Sequence, residues 1–253
     1  MNLRETQPHP YGNGRLYDLL AESNPSEQAF YVRRSMSLPG TVLELGSGTG
    51  RLSIPISEAG KRVVGLDSSE AMLQHARKKA GPHNVHFRVC NSDMTSFCIG
   101  ETFGLIFAGL NTILHLTTLD ALERSLACIR AHMRPSSEFV LDVAIPDAAL
   151  LSSLDGTRVR VAESKDDETG LLVAVDEIST YDDITQLNTR MFYVMREHCE
   201  EEMLSVTLRF YFPEELVGVL SRNGFRITER FGDYDERRLC LGDDHQIVVC
   251  KLA

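Results

Sequence analysis

Residues 42–67 read VLELGSGTGRLSIPISEAGKRVVGLD, and this stretch is the strongest indication of a fold anywhere in the chain. An apolar run predicts a buried strand at 41–45, and a second apolar run at 62–66 ends in Asp67. Between them, Gly46, Gly48 and Gly50 permit a sharp turn in which a ligand approaches bare main chain. Asp67 would reach the same edge and accept the hydroxyl protons of a ribose. The stretch therefore predicts a nucleotide pocket built largely from backbone.

Two residues indicate which nucleotide. Arg51 occupies the position where a dinucleotide-binding turn has its third glycine, which allows helix and strand to pack closely. Glu44 precedes Gly46 by two residues, and a carboxylate there would repel a pyrophosphate but attract a positive amine and a sulfonium. S-adenosylmethionine (SAM) has both positive groups and no phosphate, so we expect SAM as the cofactor and S-adenosylhomocysteine (SAH) as the product.

Five segments in order then resemble the class I SAM-dependent methyltransferases of the small-molecule type. They are VLELGSGTG (42–50), VVGLDSSEAML (63–73), VHFRVCNSDMTSF (85–97), FGLIFAGLNTILHL (103–116) and HMRPSSEFVLDV (132–143). More loosely, the whole layout resembles the sugar-amine and glycine-type N-methyltransferases. The resemblance implies transfer of a methyl group to a nitrogen or oxygen of a small molecule.

The order of predicted elements agrees with this resemblance. Alternating strands (41–45, 62–66, 85–90, 103–108, 137–143) and helices (50–59, 69–80, 119–133) predict a doubly wound parallel sheet. Strands without clear helices follow at 157–164, 171–181, 185–196 and 203–211, then a helix at 213–223 and strands at 225–231 and 246–252. We therefore predict an α/β fold with a seven-stranded Rossmann-like methyltransferase sheet. Its parts are a helical lid (1–37, with helices at 16–22 and 27–36), a SAM-binding domain (38–150 and 212–253) and an antiparallel β insertion (151–211) that covers the substrate or forms a dimer.

Most candidate cofactor residues follow the carboxyl ends of predicted strands, where a doubly wound sheet binds its ligand. We expect Asp67 to bind the ribose and Asp93 to accept from the adenine amino group, with Met72 and Met94 near the ring and Gly46 along the methionine part. Ser68 could also cap the following helix. The full set of predicted cofactor contacts is Tyr17, Tyr31, Glu44, Gly46, Ser47, Gly48, Gly50, Arg51, Asp67, Ser68, Met72, Asp93, Met94, Leu110 and Asn111.

Methyl transfer from a sulfonium needs an aligned acceptor, exclusion of water and, where the acceptor is protonated, removal of a proton. His115 and Tyr17 are the catalytic candidates, and His115 could instead hydrogen-bond the lid without touching the acceptor. Asn111 is either a pocket donor or a cap of the loop. Predicted substrate contacts are Asn111, His115, Arg209 and Tyr211, and further candidates for contact are Tyr11, Tyr193 and Met195.

Composition limits the partners. The 253 residues have a formal net charge of -10, which disfavours binding to nucleic acid or to an anionic membrane surface. The six cysteines contain no C-x-x-C pair, so no metal site is expected. No signal peptide or membrane span is evident, which predicts a cytoplasmic protein. Exposed strands of the insertion make a homodimer possible.

Two other functions stay open at this point. The chain could bind SAM without transferring its methyl group, as a sensor or a partner subunit. A nicotinamide oxidoreductase is the weaker alternative, because Arg51 replaces the third glycine of the turn.

Overall fold

A computed structural model describes residues 9–21, 24–81, 84, 86–165, 170–197 and 199–253. The helices are α1 (Gly14–Leu20), α2 (Pro25–Ser37), α3 (Ser53–Glu58), α4 (Glu70–Ala80), α5 (Leu119–Ala131), α6 (Ala148–Ser153) and α7 (Pro213–Arg222). The strands are β1 (Val42–Leu45), β2 (Val63–Asp67), β3 (Phe87–Asn91), β4 (Phe103–Ala108), β5 (Met133–Ala144), β6 (Asp155–Lys165), β7 (Leu172–Asp182), β8 (Leu187–Arg196), β9 (Glu202–Arg209), β10 (Phe225–Phe231) and β11 (His245–Leu252). Short 3-10 helices cover Pro10–Gly12 and Thr112–His115.

The main sheet has seven strands in the order β10-β11-β5-β4-β1-β2-β3. Strands β1 to β5 are parallel, and β11 runs antiparallel to its neighbours β5 and β10. The strand order reverses at β1, which pairs with β2 on one side and β4 on the other. Loops leaving β1 and β4 therefore diverge there and open a crevice. The predicted doubly wound sheet is confirmed.

Both faces of this sheet are covered, as its continuous apolar strands require. Side chains alternate along β4: Leu105 and Phe107 pack with α2 and α3, while Ile106 and Ala108 pack with the core on the opposite face. All four are fully buried. The crevice consequently lies at the edge of a rigid, two-sided core.

The insertion folds into a separate four-stranded antiparallel sheet, β6-β7-β8-β9. One of its faces joins the core beside α1 through Val173, Val175, Phe192, Val194, Leu204, Val206 and Leu208. Strand β6 lies at one edge and is almost entirely exposed. The insertion therefore rests on the lid side of the molecule with one strand edge unpaired.

Several element bounds differ from the sequence prediction, and two of these differences have a clear physical reason. Helix α3 begins at Ser53 instead of residue 50, since Gly50 still belongs to the turn with a φ of 79°. Pro55 thus falls in the first helical turn, where no hydrogen bond is lost. Helix α6 was not predicted, and the Asp147 side chain caps it by accepting from the Leu150 N–H. Residues 22 and 85, predicted as a helix end and a strand start, and most of the turn predicted at 166–170 lie outside the described residues.

No helix in the described part of the chain is long and apolar enough to span a bilayer.

Candidate active site

A cavity of about 470 Å³ opens at the carboxyl ends of β1, β2 and β4. Most of the sequence-predicted contacts line it: Tyr17, Gly46, Gly48, Asp67, Ser68, Met72, Asp93, Met94, Leu110 and His115. They come from the lid, the glycine turn, β2, the loop after β3 and the loop after β4. The sheet topology thus gathers residues that are far apart in the sequence.

The glycine turn forms one wall of the cavity. Gly46 and Gly48 have φ values of 63° and 52°, which favour glycine. A Cβ atom on Gly46 would lie 2.6 Å from Cγ2 of Thr112, so a side chain there would collide with the loop after β4. Gly46 therefore has no room for a side chain, and its backbone conformation would be strained for any other residue.

The carboxylate of Asp67 fastens the turn to the start of α4. It accepts hydrogen bonds from the N–H groups of Gly48 and Ser69, each at 2.8 Å. Burial raises the pKa of Asp67, and these backbone donors act in the opposite direction. Asp93 accepts from the Thr95 N–H at 2.7 Å, which forms an Asx turn and leaves it in the cavity wall.

At the other end, Tyr11 and His115 form a hydrogen-bonded pair. The Tyr11 hydroxyl lies 3.0 Å from Nε2 of His115, and the rings meet edge to face at 5.2 Å. The hydroxyl of Ser69 donates to the Tyr11 carbonyl at 2.7 Å, which fixes the lid segment over the cavity. Burial, followed by the nearby His9 and the Arg190 charge, lowers the pKa of His115 to about 4. His115 is therefore neutral at physiological pH.

A buried ionic cluster supports the turn from behind. Arg51 donates to both carboxylate oxygens of Glu27, from Nη2 to Oε1 at 2.9 Å. Glu27 is 1% exposed and Arg51 12% exposed at the side chain. Tyr17 lies close enough to Arg51 to interact with its charge, while Glu44 accepts from the Ser53 hydroxyl. The Arg51 charge is therefore already neutralised by the protein.

Glu44 gives a testable pH dependence. Burial raises its pKa to about 8, so the folded protein retains a proton that the unfolded chain releases above about pH 4.5. This group therefore lowers stability as pH rises from 4.5 to 8, by at most about 1.4 kcal/mol per pH unit. We expect Glu44→Gln to unfold at higher urea than the wild type by a margin that widens between pH 5 and pH 8. A constant margin across that range would contradict a raised pKa.

Comparison with known proteins shows similarity to methyltransferases. A family model for a methyltransferase domain matches residues 42–136. The chain is 28% identical over 129 residues to dTDP-3-amino-3,4,6-trideoxy-alpha-D-glucopyranose N,N-dimethyltransferase of Streptomyces venezuelae, covering 51% of this chain and 52% of that one. It is 31% identical over 106 residues to cypemycin N-terminal methyltransferase of a Streptomyces species, covering 42% of each. The chain thus spans about half the length of the curated relatives it matches.

Structural similarity extends over the whole chain. The CcbJ methyltransferase from Streptomyces caelestis superposes with a TM-score of 0.81 at 25% identity, covering 97% of this chain and 98% of that structure. The chain therefore contains a methyltransferase domain at 42–136 and resembles the class I SAM-dependent methyltransferases over its whole length. Members of this class take the methyl group from SAM, the cofactor that the sequence predicted. The comparisons give no support to a nicotinamide oxidoreductase.

Several predicted methyltransferase site residues do not reach the cavity. Tyr31 is fully buried and stacks on Phe107 at 4.4 Å, so it is a core residue. Tyr211 is also fully buried and donates its hydroxyl to the Leu116 carbonyl. Arg209 is held by Gln186 and Glu215 at 2.8 and 2.9 Å.

Other predicted site residues also differ from their expected roles. The Asn111 side-chain oxygen accepts from the Ala144 N–H at 2.7 Å, Asn111 is absent from the cavity wall, and its side chain makes no capping hydrogen bond to the 3-10 helix that follows. Ser69, rather than Ser68, caps α4. Glu44, Ser47, Gly50 and Arg51 are absent from the described cavity wall and lie behind or beside the turn. Tyr193 packs under Arg158 at 4.2 Å, on the exposed face of the insertion together with Met195.

Some lining residues were missed by the sequence analysis: His9, Thr112, Arg124, Val206 and Thr207. Thr112 is placed by its hydrogen bond to Gly109, and Val206 and Thr207 by the pairing of β9 with β8. No local sequence signal distinguishes these residues, because their role depends on how the insertion docks. Within the described ranges no cluster of histidine, cysteine, aspartate and glutamate could hold a metal ion.

Proposed function

We propose that this chain transfers a methyl group from SAM to a nitrogen of a small-molecule acceptor in this cavity. The observation that carries the proposal is the Tyr11–His115 pair facing the glycine turn across one cavity. One end suits the cofactor, and the other offers a neutral base in a shielded position. The N-methyltransferases named above, which act on an amino sugar and on a peptide N-terminus, support nitrogen rather than oxygen.

The residues at the glycine turn fit SAM better than a dinucleotide. The N–H of Gly48 is already donated to Asp67, and the Arg51 guanidinium is paired with Glu27. Neither group is free to bind a pyrophosphate, which needs unpaired donors or cations. Two carboxylates, Asp67 and Asp93, instead face the cavity. These hydrogen-bond acceptors suit an uncharged nucleoside carrying a positive sulfonium.

We assign the cofactor contacts accordingly. Asp67 would accept from the ribose hydroxyls, and Asp93 would accept from the adenine amino group. The side chains of Met72, Met94 and Leu110 provide apolar surface for the adenine ring. Gly46, Gly48 and Tyr17 line the part of the cavity that would hold the methionine portion.

The acceptor would lie beside His115. SAM supplies an electrophilic methyl group on a sulfonium, which needs no metal and no covalent enzyme intermediate. An amine acceptor loses a proton during the reaction, and neutral His115 can take it at the ring nitrogen that is not hydrogen-bonded to Tyr11. Tyr11 holds the imidazole in place, and Val206 and Leu116 exclude water from this end.

The cofactor assignment predicts the effect of Asp67→Ala. The change removes the ribose acceptor and also leaves the Gly48 N–H without its partner. We expect SAH affinity, measured by calorimetry, to fall by roughly 1–3 kcal/mol. Asp155→Ala, at an exposed position on β6, serves as the control and should leave affinity unchanged. Equal affinities for the Asp67 variant and wild type would refute the assignment.

The activity itself is tested with methyl-labelled SAM and a panel of amino sugars and short peptides with free N-termini. We expect label in at least one acceptor, with a 14-dalton mass gain that corresponds to one added CH₂ group. Tight SAH binding with no labelled acceptor would favour the alternative of a SAM-binding protein without transfer. A melting temperature raised by NAD(P) but not by SAH would exclude both methyl transfer and SAM binding without transfer.

Several broader expectations belong to the same proposal. The lid (1–37) and the insertion (151–211) would close over the acceptor, while 38–150 and 212–253 bind SAM. A small-molecule rather than nucleic-acid acceptor agrees with the net charge of -10, and a cytoplasmic location is part of the same proposal. The unpaired edge of β6 exposes Val159 and Val161 by 50% and 43%, which would suit pairing with a second copy. Light scattering would test the homodimer.

A further inference from the structure

The loop after β4 begins with a sharp backbone bend at Leu110–Asn111, here called the corner, whose conformation is unfavourable for residues other than glycine. Leu110 and Asn111 have consecutive φ values of 45° and 64°, in the left-handed region that favours glycine. Such conformations persist only where the surrounding structure imposes them. The corner leads directly into the 3-10 helix Thr112–His115, so it determines where His115 lies.

Asp142 on β5 holds this corner through both its backbone and its side chain. Its carbonyl accepts from the Asn111 N–H at 3.0 Å, and its carboxylate accepts from the Leu110 N–H at 3.4 Å. Two residues further along the strand, the Ala144 N–H donates to the Asn111 side chain. Asp142 is 3% exposed, so its carboxylate depends on protein partners.

The second partner of that carboxylate is the hydroxyl of Tyr234, which donates to the oxygen that faces Leu110. Tyr234 lies on the connection between β10 and β11 and is itself buried. Its ring packs against Phe30 and His245 at 6.0 and 5.5 Å, and its carbonyl accepts from Arg33 at 3.2 Å. Tyr234 is thus fixed from both sides and orients the Asp142 carboxylate toward the corner.

Neither Asp142 nor Tyr234 belongs to the cavity wall as described, whereas Leu110, Thr112 and His115 do. We propose that Tyr234 and Asp142 are positioning residues that hold the Leu110–Asn111 corner, and through it His115, in the geometry that methyl transfer requires. The proposal rests on the proposed function for its catalytic consequence. Its structural part, that Tyr234 stabilises the corner, stands separately and needs no methyl acceptor to test.

The structural part is tested by amide hydrogen exchange of the SAH complex. Tyr234→Phe removes only the hydroxyl that reaches Asp142. Thr228→Val is the matched control, because it removes a hydroxyl that donates to the Val249 carbonyl at 3.2 Å on the same hairpin. We expect the amides of residues 110–116 to exchange about tenfold faster in Tyr234→Phe and at the wild-type rate in Thr228→Val. Unchanged exchange in Tyr234→Phe, or equal acceleration in both variants, overturns the proposal.

The catalytic part is tested with the acceptor that the labelled-methyl assay identifies. We expect Tyr234→Phe to lower kcat about tenfold while the Kd for SAH changes by less than about threefold. Asp142→Asn keeps an acceptor oxygen and should retain most of kcat, whereas Asp142→Ala should lose as much as Tyr234→Phe. A normal kcat in Tyr234→Phe overturns the proposal. Absence of any methylated acceptor would count against the proposed function, and the exchange result would still decide the role of Tyr234.

Discussion

His115→Ala should lower the turnover number by about 100-fold, the lower end of the usual contribution of a positioned general base, because its lowered pKa also makes the imidazole a weaker base. His115 lies in the cavity wall, is neutral because its pKa is lowered to about 4, and contacts Tyr11 at 3.0 Å. It touches none of the carboxylates assigned to the nucleoside. We therefore expect the affinity for SAH, measured by calorimetry, to stay close to that of the wild type. Steady-state kinetics with the identified acceptor measures the loss.

His75→Ala is a useful control for this variant. His75 pairs with Asp18 at 3.1 Å and lines a different cavity, so its loss should leave turnover nearly unchanged. If His115→Ala reduced SAH affinity as strongly as turnover, His115 would be a structural residue of the loop. That outcome would favour the alternative in which it only hydrogen-bonds the lid.

Glu27→Ala should destabilise the fold by about 3–5 kcal/mol, because it leaves Arg51 buried without its partner. Both oxygens of Glu27 are hydrogen-bonded to Arg51, and the pair joins the lid helix α2 to the glycine turn. The expected result is a lower free energy of unfolding in urea. Replacing both residues together, as Glu27→Leu with Arg51→Met, should restore much of the loss, since no buried charge is then uncompensated.

The same helix supplies a matched control for that measurement. Arg33 on α2 pairs with Glu236 at 3.3 Å, but the two side chains are 54% and 42% exposed. Glu236→Ala should therefore cost no more than about 1 kcal/mol. A Glu27→Ala loss as small as that of Glu236→Ala would show that the buried pair contributes little to holding the lid.

The residues of the glycine-turn end of the cavity were largely predictable because their signals are local. Gly46 and Gly48 must be glycines for backbone reasons, and Asp67 ends an apolar strand whose partner is the preceding strand. Met72 and Asp93, which also line the cavity, follow at short spacing along the same alternating pattern. Each of these predictions needed only the pattern of one strand–turn–helix unit.

Predictions of site residues failed where a side chain could point either into the cavity or into the hydrophobic core. Tyr31 and Tyr211 were reasonable pocket residues by type and position, yet both point into the core. In a helix or a strand, neighbouring residues point in different directions, so a side chain one position away can lie in the core instead of the cavity. Arg51 and Glu27 illustrate the same limit, because their pairing joins two elements 24 residues apart in sequence.

The sequence by itself determined the alternating strand–helix order, the glycine turn and the acidic end of β2, because these depend on backbone sterics and on hydrophobic periodicity over a few residues. Tertiary structure alone decided which residues line the far end of the cavity, since Tyr11, His115 and Val206 come from the lid, the loop after β4 and the insertion. It also determined that Tyr234 and Asp142 brace the strained corner of that loop. Contacts of this kind arise from the packing of separate elements, and no single stretch of the chain encodes them.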